Sequence, residues 1–197
     1  RLERTRIIQP LTFIGRPAAK PITERLLQKG PWYYMRNLIL LLGRTGSPVH
    51  LKALADMLED DDPRLQREAV FAIQNIAGGK AGETLIKYLY SVDDEVKELI
   101  ILGLGAAKYQ PAVPELIAML DEKTPGKTRK TRDDTRVKLC EALGCIGDPA
   151  AAPALKKIIH SKSFLAIKAH DPAVRAAAAE ALAKLKSAEI HNKDAAP

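Results

Sequence analysis

The sequence predicts an all-α, right-handed α-solenoid of about five helical hairpins, with each first helix on the outer side and each second helix on the inner side. An apolar anchor residue recurs at intervals of 31 and then 39 residues, at Leu11, Leu42, Ile73, Leu104, Leu143 and Leu182. A second residue follows each of the first five anchors twelve positions later, at Thr23, Leu54, Leu85, Leu116 and Leu155. Self-similarity at such a period indicates repeated units that bury their apolar faces against their neighbours.

The third observation is a corner motif, clearest in residues 143–155, which has degenerate copies along the chain. Gly144 and Gly147 suit a helix C-terminus, where the backbone turns to positive φ. Asp148 suits the N-cap of the next helix, and Pro149 suits its first position, where no amide donor is needed. The motif therefore predicts a helix end, a tight turn and a helix start.

The repeats divide the chain into a series of units. We expect a single repeat domain over residues 1–186 and a disordered tail over residues 187–197, which are small and polar. Within the domain the spacing predicts an incomplete first unit, four repeats and a terminal helix, at residues 1–29, about 30–60, 61–91, 92–132 and 133–170, and 171–186. The chain starts at Arg1, inside a repeat, so we expect it to be a piece of a longer protein.

The composition predicts an aliphatic core, since 46% of the residues are hydrophobic and only 5% are aromatic. Trp32, Tyr33 and Tyr34 form the only aromatic cluster, which we interpret as core packing of a first helix. Cys140 takes the position that other repeats fill with Ile or Val, which predicts a reduced core cysteine and a cytoplasmic location. No apolar run is long enough to span a bilayer, so we expect no integral membrane association.

Positive charge is concentrated in two segments that follow the second helices of the fourth and fifth units. The first segment has the basic residues Lys123, Lys127, Arg129, Lys130 and Arg132, and the second has Lys156, Lys157, Lys162 and Lys168. These nine of the chain's 31 basic residues leave 22 elsewhere against 24 acidic residues, so the net charge of +7 comes from the two segments. Because both are eight-residue insertions at the same point of successive repeats, we expect them to lie side by side. They would then form an anion-binding edge, unless they are ordinary solvated loops.

Two further groups of apolar residues are candidates for partner binding. Ile86, Tyr90 and Ile117 lie on the predicted inner face and could receive a partner helix, or could simply widen the core stripe. Phe164 lies in the second basic segment without a place in the repeat pattern, where it could dock a partner or fold onto the solenoid end.

The sequence gives no sign of a catalytic or metal site. Residues 125–128 read Pro-Gly-Lys-Thr, but Asp121 occupies the place of the first glycine of a phosphate-binding loop, and no strand precedes it. The four histidines lack metal-ligand spacing, and no Ser or Cys nucleophile has a recognisable partner. The acidic run at residues 59–62 predicts a solvated loop that ends by capping the next helix. We therefore expect no enzyme activity and no cofactor.

Three sequence patterns resemble HEAT repeats. They are Asp-Pro-Ala-Val-Arg at residues 171–175, Leu-Gly-x-Ile-Gly-Asp-Pro at residues 143–149, and Ala-x-Pro-x-Leu at residues 112–116 and 151–155. A basic residue recurs in the first helix as Lys97, Arg136 and Arg175. The 31-residue period is similar to the short bacterial HEAT-like repeats of phycobiliprotein lyases. Repeated His-Glu pairs, which a resemblance to the HEAT-like hydroxylases would require, are missing.

The resemblance implies a binding scaffold more than a chemistry. We expect a non-catalytic, protein-binding or regulatory segment of a larger bacterial protein, whose partner is another protein with an acidic surface. Nucleic-acid binding on a basic surface, as in the HEAT-like DNA glycosylases, is the first alternative. A bilin-lyase-like enzyme is the second alternative, and repeat type is its sole support. The oligomeric state stays open.

Overall fold

The computed structural model describes residues 9–10, 12–121, 128–161 and 171–194, and of residues 188–194 it describes the backbone alone. The chain divides into two compact units, Arg1–Gly103 and Leu104–Pro197, here called unit 1 and unit 2. Five predicted site residues lie outside the described residues, namely Lys123, Lys127, Lys162, Phe164 and Lys168.

Unit 1 consists of helices of alternating length, because each repeat has a long first helix and a short second one. Its helices are α1 (Ala19–Leu27), α2 (Trp32–Thr45), α3 (Leu51–Ala55), α4 (Pro63–Ala77), α5 (Ala81–Leu85) and α6 (Asp94–Ala106). Helix α6 contains the boundary between the units. The second helices begin and end in 3₁₀ turns, at Pro48–His50 and Asp56–Glu59 around α3 and at Gly78–Lys80 and Ile86–Tyr88 around α5.

Unit 2 continues the same alternation. Its further helices are α7 (Val113–Asp121), α8 (Arg129–Ile146), α9 (Ala152–Ile159) and α10 (Pro172–Asp194). Long helices pack on the next long helix, as α8 does on α10, and α9 packs on α10 as α7 packs on α8. Every regular element among the described residues is helical, so the predicted all-α solenoid class is confirmed.

The core follows the predicted repeat. The anchors Leu42, Ile73, Leu104 and Leu143 have no exposed surface. The residues twelve positions later, Leu54, Leu85, Leu116 and Leu155, are equally buried. In the last unit Leu182 is only half-buried, while its neighbours Ala178, Ala181 and Leu185 are buried. In the described part of the chain no further first helix follows α10 to cover that side.

The corner motif folds as predicted except at one glycine. Gly147 is left-handed with φ 79°, and its N–H donates to the Leu143 carbonyl at 3.1 Å. The Asp148 carboxylate accepts from the Ala150 N–H at 2.9 Å, as an N-cap does. Gly144, expected near the helix end for its backbone freedom, instead lies inside α8. A Cβ on Gly144 would come within 2.8 Å of the Ala181 Cα of α10, so close helix packing is what requires this glycine.

The interpretation of the C-terminal residues was wrong in part. Helix α10 continues past Lys186 to Asp194, which includes most of the tail that we expected to be disordered. Residues 187–194 contain no glycine or proline, so nothing in their local propensity ends the helix. The Ser187 hydroxyl donates to the Ala183 carbonyl at 3.1 Å, a bond that helical backbone accommodates.

The aromatic cluster is at the surface and not in the core. Trp32, Tyr33 and Tyr34 are 40%, 59% and 36% exposed. They occupy the first turn of α2, whereas the buried stripe of that helix begins one residue later at Met35. Aliphatic side chains already fill the core on this side, because Leu38, Ile39 and Leu42 line the face that packs on α4.

Candidate partner-binding surface

The two basic segments of unit 2 leave the fold from neighbouring helix ends. Asp121 is the last residue of α7, and Lys157 lies near the end of α9. The Lys157 Nζ is 2.8 and 3.0 Å from the two carboxylate oxygens of Asp121. Since one insertion starts just after Asp121 and the other just after α9, their starting points are adjacent.

The first segment re-enters the fold at the start of α8. The Thr128 hydroxyl caps this helix by accepting from the Thr131 N–H at 3.2 Å. Asp133 is 12% exposed and lies 3.5 Å from the Arg129 Nε and 3.2 Å from an Arg136 guanidinium nitrogen. The Arg136 Nε also donates to the Leu120 carbonyl at 3.3 Å, which holds α8 against the C-terminal end of α7. Cations are favoured at that end of a helix, where carbonyls lack intrahelical donors.

The far ends of the two segments are also neighbours. The first turns of α8 and α10 line a shared cavity of about 450 Å³. Arg129 and Lys130 contribute to it from α8, Val174 from α10, and Asp171 from the position just before α10. Asp171 caps α10 by accepting from the Ala173 N–H at 2.9 Å. The described residues that border one insertion therefore lie beside those that border the other.

The positive charge of this edge is smaller than the sequence count indicates. Arg129 is bound to Asp133 and Lys157 to Asp121, so the chain already neutralises two of the predicted basic residues. Arg132 is half-buried, whereas Lys130 and Lys156 are exposed and have no carboxylate partner among the described residues. We call Arg129, Lys130, Arg132, Lys156 and Lys157 the basic edge. Lys130 and Lys156 are its two residues most available to a partner.

The predicted inner-face residues fall into both units. In unit 1, Ile86 is half-buried in the 3₁₀ turn after α5, and Tyr90 is 60% exposed with the Lys97 Nζ 5.8 Å from its ring centroid. In unit 2, Ile117 is half-buried on α7. A widened core stripe would leave both isoleucines half-buried, as they are. Tyr90 is the most exposed of the three residues.

The cysteines differ in their surroundings. Both are free thiols, with Cys140 fully buried and Cys145 exposed. Burial raises the pKa of the Cys140 thiol to about 12, with a smaller contribution from the nearby Glu141 carboxylate. Cys140 is therefore a core residue with negligible thiolate at neutral pH, as the repeat position predicted.

The acidic run at residues 59–62 folds as the predicted capping loop. Asp62 caps α4 by accepting from the Arg64 N–H at 2.9 Å, and Asp60 accepts from the Asp62 N–H at 2.9 Å. The described residues contain no group of three or more His, Cys, Asp or Glu side chains placed to hold a metal. Among the helices of those same residues, none combines the length and the apolar character that crossing a bilayer requires.

The fold and this surface define a helical-repeat protein. Helical hairpins recur at intervals of 31 and then 39 residues, and side chains at the ends of successive second helices contact each other. The family model for HEAT repeats matches the chain three times, at residues 19–98, 51–133 and 82–166. The chain belongs to the HEAT-repeat family, as its sequence resemblance indicated. No curated protein matches the chain in sequence.

Sequence reasoning missed two contacts that organise the surfaces. One is the bond from the Arg136 guanidinium to the Leu120 carbonyl, although the recurrence of a basic residue at this position was a usable signal. The other is the Arg64 guanidinium, which lies 3.8 Å from the centroid of the Trp32 ring. The pairing of these two residues had no local signal, because they are 32 positions apart on different helices.

Proposed function

We propose that the chain is a non-catalytic scaffold that binds an acidic surface of another protein through the basic edge of unit 2. The observation that supports this most directly is the adjacency of both ends of the two basic insertions. On this edge Lys130 and Lys156 are exposed and have no carboxylate ion pair among the described residues. The HEAT-repeat fold is consistent with this role, because stacked hairpins present extended surfaces to partners.

A protein partner suits the basic edge better than nucleic acid does. Phosphate binding depends on several lysines and arginines that remain free to neutralise a backbone. Here Asp121 and Asp133 already engage Lys157 and Arg129, and Asp134 and Asp171 add negative charge beside the shared cavity. A protein surface can match such mixed charges one by one. The bilin-lyase alternative gains no support from the described residues.

The test is a charge reversal of the two most available residues, Lys130→Glu with Lys156→Glu. Lys80→Glu with Lys87→Glu is the matched control, because both control lysines are exposed in unit 1 and the net charge changes equally. Binding of a fluorescent polyglutamate peptide and of duplex DNA would be followed by anisotropy at low and moderate salt. We expect the basic-edge variant to bind polyglutamate about tenfold more weakly and the control to bind like wild type.

The other outcomes have defined meanings. Equal loss in both variants would contradict the proposal, because the probe would then respond to net charge alone. If DNA binds more tightly than polyglutamate, with an affinity that falls steeply as salt rises, the nucleic-acid hypothesis would replace the proposal. If the absorption spectrum of a bilin changes on addition of the protein, the bilin-lyase hypothesis would replace the proposal.

A further inference from the structure

Aromatic side chains are distributed unusually in this molecule. None of the aromatic residues in the described part of the chain is buried. Six of them are large exposed side chains, and all six lie in unit 1, at Phe13, Trp32, Tyr33, Tyr34, Phe71 and Tyr90. Three of the six are consecutive at the start of α2, so this end of unit 1 has an aromatic surface that the core does not use.

Contacts with neighbouring helices hold this surface in place. The Arg64 guanidinium lies over the Trp32 ring at 3.8 Å, and Asp62 fixes it with hydrogen bonds of 2.9 Å to Nε and 2.7 Å to a terminal nitrogen. The Tyr33 ring meets the Trp32 ring edge to face, with centroids 6.2 Å apart. On the other side, the Arg25 Nε of α1 donates to the Tyr34 hydroxyl at 3.1 Å.

The stretch of sequence that contains α1 and α2 has more basic than acidic residues. Residues 12–50 contain one acidic side chain, Glu24, against six basic ones at Arg16, Lys20, Arg25, Lys29, Arg36 and Arg44. Arg36 pairs with Glu68 of α4. The Arg25 guanidinium donates to the neutral oxygens of Gln28 and Tyr34 and has no carboxylate partner among the described residues. Its positive charge is therefore available beside the aromatic rings.

We propose that Arg25, Trp32, Tyr33, Tyr34 and Arg64, together called the Trp32 surface, bind an acidic peptide segment that carries apolar side chains and belongs to a partner protein. Tryptophan, tyrosine and arginine are the residue types that most often dominate binding at interfaces. The observed contacts already order Trp32, Arg64 and Tyr34, so less side-chain entropy is lost on binding. Arg25, which has no carboxylate partner among the described residues, selects a partner of negative charge, and the exposed rings select apolar side chains.

Single-stranded nucleic acid fits this surface less well. Base stacking needs an open ring face and a free cation for the backbone. The Arg64 guanidinium covers one face of Trp32, and the charge of Arg64 is already neutralised by Asp62. A peptide needs neither feature, because its apolar side chains can pack against ring edges and its carboxylates can reach Arg25.

The chain offers a direct probe, because Trp32 is its only tryptophan. The test titrates the whole chain with a 12-residue peptide of glutamate, leucine and phenylalanine, and with a control peptide in which lysine replaces glutamate. We expect the acidic peptide alone to shift the emission of Trp32 to shorter wavelength and to saturate. Either Arg25→Glu or Tyr33→Ser should weaken binding about tenfold. Val49→Ser, at a side chain that is 83% exposed, is the matched control and should bind like wild type.

Three results would overturn the proposal. An unchanged Trp32 emission at saturating acidic peptide would exclude the surface as a peptide site. An equal shift with oligothymidylate would assign it to nucleic acid, and a shift that depends on protein concentration alone would assign it to a second copy of the chain. The pair Lys130→Glu with Lys156→Glu should leave the Trp32 shift unchanged, so failure of this proposal and failure of the basic-edge proposal are distinguishable.

Discussion

Consecutive first helices pack on each other at a contact that we call a joint. The joint between α8 and α10 in unit 2 has its glycine on the earlier helix, whereas the joint between α4 and α6 in unit 1 has its glycine on the later helix. In unit 2 the glycine is on the earlier helix, as Gly144, and faces Ala181 on the later one. In unit 1 the earlier helix has Gln74 at the equivalent position, and the later helix has Gly103 opposite it. The added volume of the glutamine thus coincides with the loss of a side chain across the joint.

Two other joints follow the unit 2 arrangement. Gly43 faces Ala72 in unit 1, and Gly105 faces Ala142 in unit 2, each with 2.8 Å between an added Cβ and the alanine Cα. What recurs is therefore one glycine, on either the earlier or the later helix, at the point where the two backbones approach each other. Close-packed interiors require this, because a change of even one methylene is felt by the neighbours.

Gly144→Ala should give the largest effect of the changes predicted below. The new Cβ would meet Ala181 Cα at 2.8 Å and Cβ at 2.9 Å, and neither atom can move without moving the helix. Overpacking costs about 1–3 kcal/mol, which exceeds the gain of about 1 kcal/mol in helix propensity. Chemical denaturation should report a lower free energy of unfolding. Gly79→Ala is the control, because a Cβ there meets nothing within 4 Å.

Thiol labelling makes the same experiment specific to unit 2. Cys140 lies one helical turn before Gly144 and is protected by burial and by a pKa of about 12, whereas Cys145 is exposed. In wild type only Cys145 should react quickly with a thiol reagent. In Gly144→Ala the labelling rate of Cys140 should rise. The unfolding of unit 1, followed by the fluorescence of Trp32, should change less than this labelling rate does. Equal responses of the two probes would show that the effect is not local to the joint.

Gly103→Ala should have a smaller effect, although its Cβ would clash with the Gln74 Nε2. The clashing atom is the far end of a flexible side chain, and so is the Leu85 Cδ1 at 3.0 Å, so both can move. We expect a loss of about 1 kcal/mol or less. In a Gln74→Ala background the same change should be neutral or stabilising, and a double-mutant cycle measures this coupling. Additive effects of the two changes would contradict this coupling between Gln74 and Gly103.

The smallest effect should come from acid. The hydrogen bonds from Arg64 hold the pKa of the Asp62 carboxyl below its ordinary value. The pair therefore stabilises the fold fully above the pKa of Asp62 in the unfolded chain, and this contribution is lost as pH falls through the lower folded pKa. Trp32 emission should change over that acidic range as the Arg64 contact loosens. Asp62→Asn should remove the transition, and an unchanged pH profile in that variant would contradict the assignment.

Much of the fold could be predicted from the sequence because the same residue types recur at the same positions of each repeat and act locally. Leu42 and Leu85 are buried because apolar residues at a fixed position must face the neighbouring hairpin, and Asp148 caps a turn because its side chain reaches two residues ahead. The extension of α10 was missed because a polar composition was taken as disorder in a segment that lacks any helix breaker. Trp32 was placed in the core on hydrophobicity alone, without regard to where the buried stripe of α2 begins.

The candidate surfaces were less predictable than the fold. The adjacency of the helix ends that border the basic segments followed from equal insertion points in successive repeats. The neutralisation of Lys157 by Asp121 did not, because a contact between residues 36 positions apart depends on the packing of α7 and α9. The same holds for Arg64 and Trp32. Sequence patterns indicate which residues share a helix face, but which side chains pair across two helices depends on how those helices pack.

The reversed joint also restricts which repeats can be neighbours. A repeat that ends its first helix with Gln74 fits before one that carries Gly103, and would clash with one that presents alanine there. Repeats joined by Gly43 or Gly144 accept any successor with alanine, so they are interchangeable in principle. Shuffling or duplicating hairpins should therefore succeed at the joints where glycine meets alanine. It should fail where Gln74 meets a new successor. At this joint the order of the repeats is thus restricted by two residues, Gln74 and Gly103.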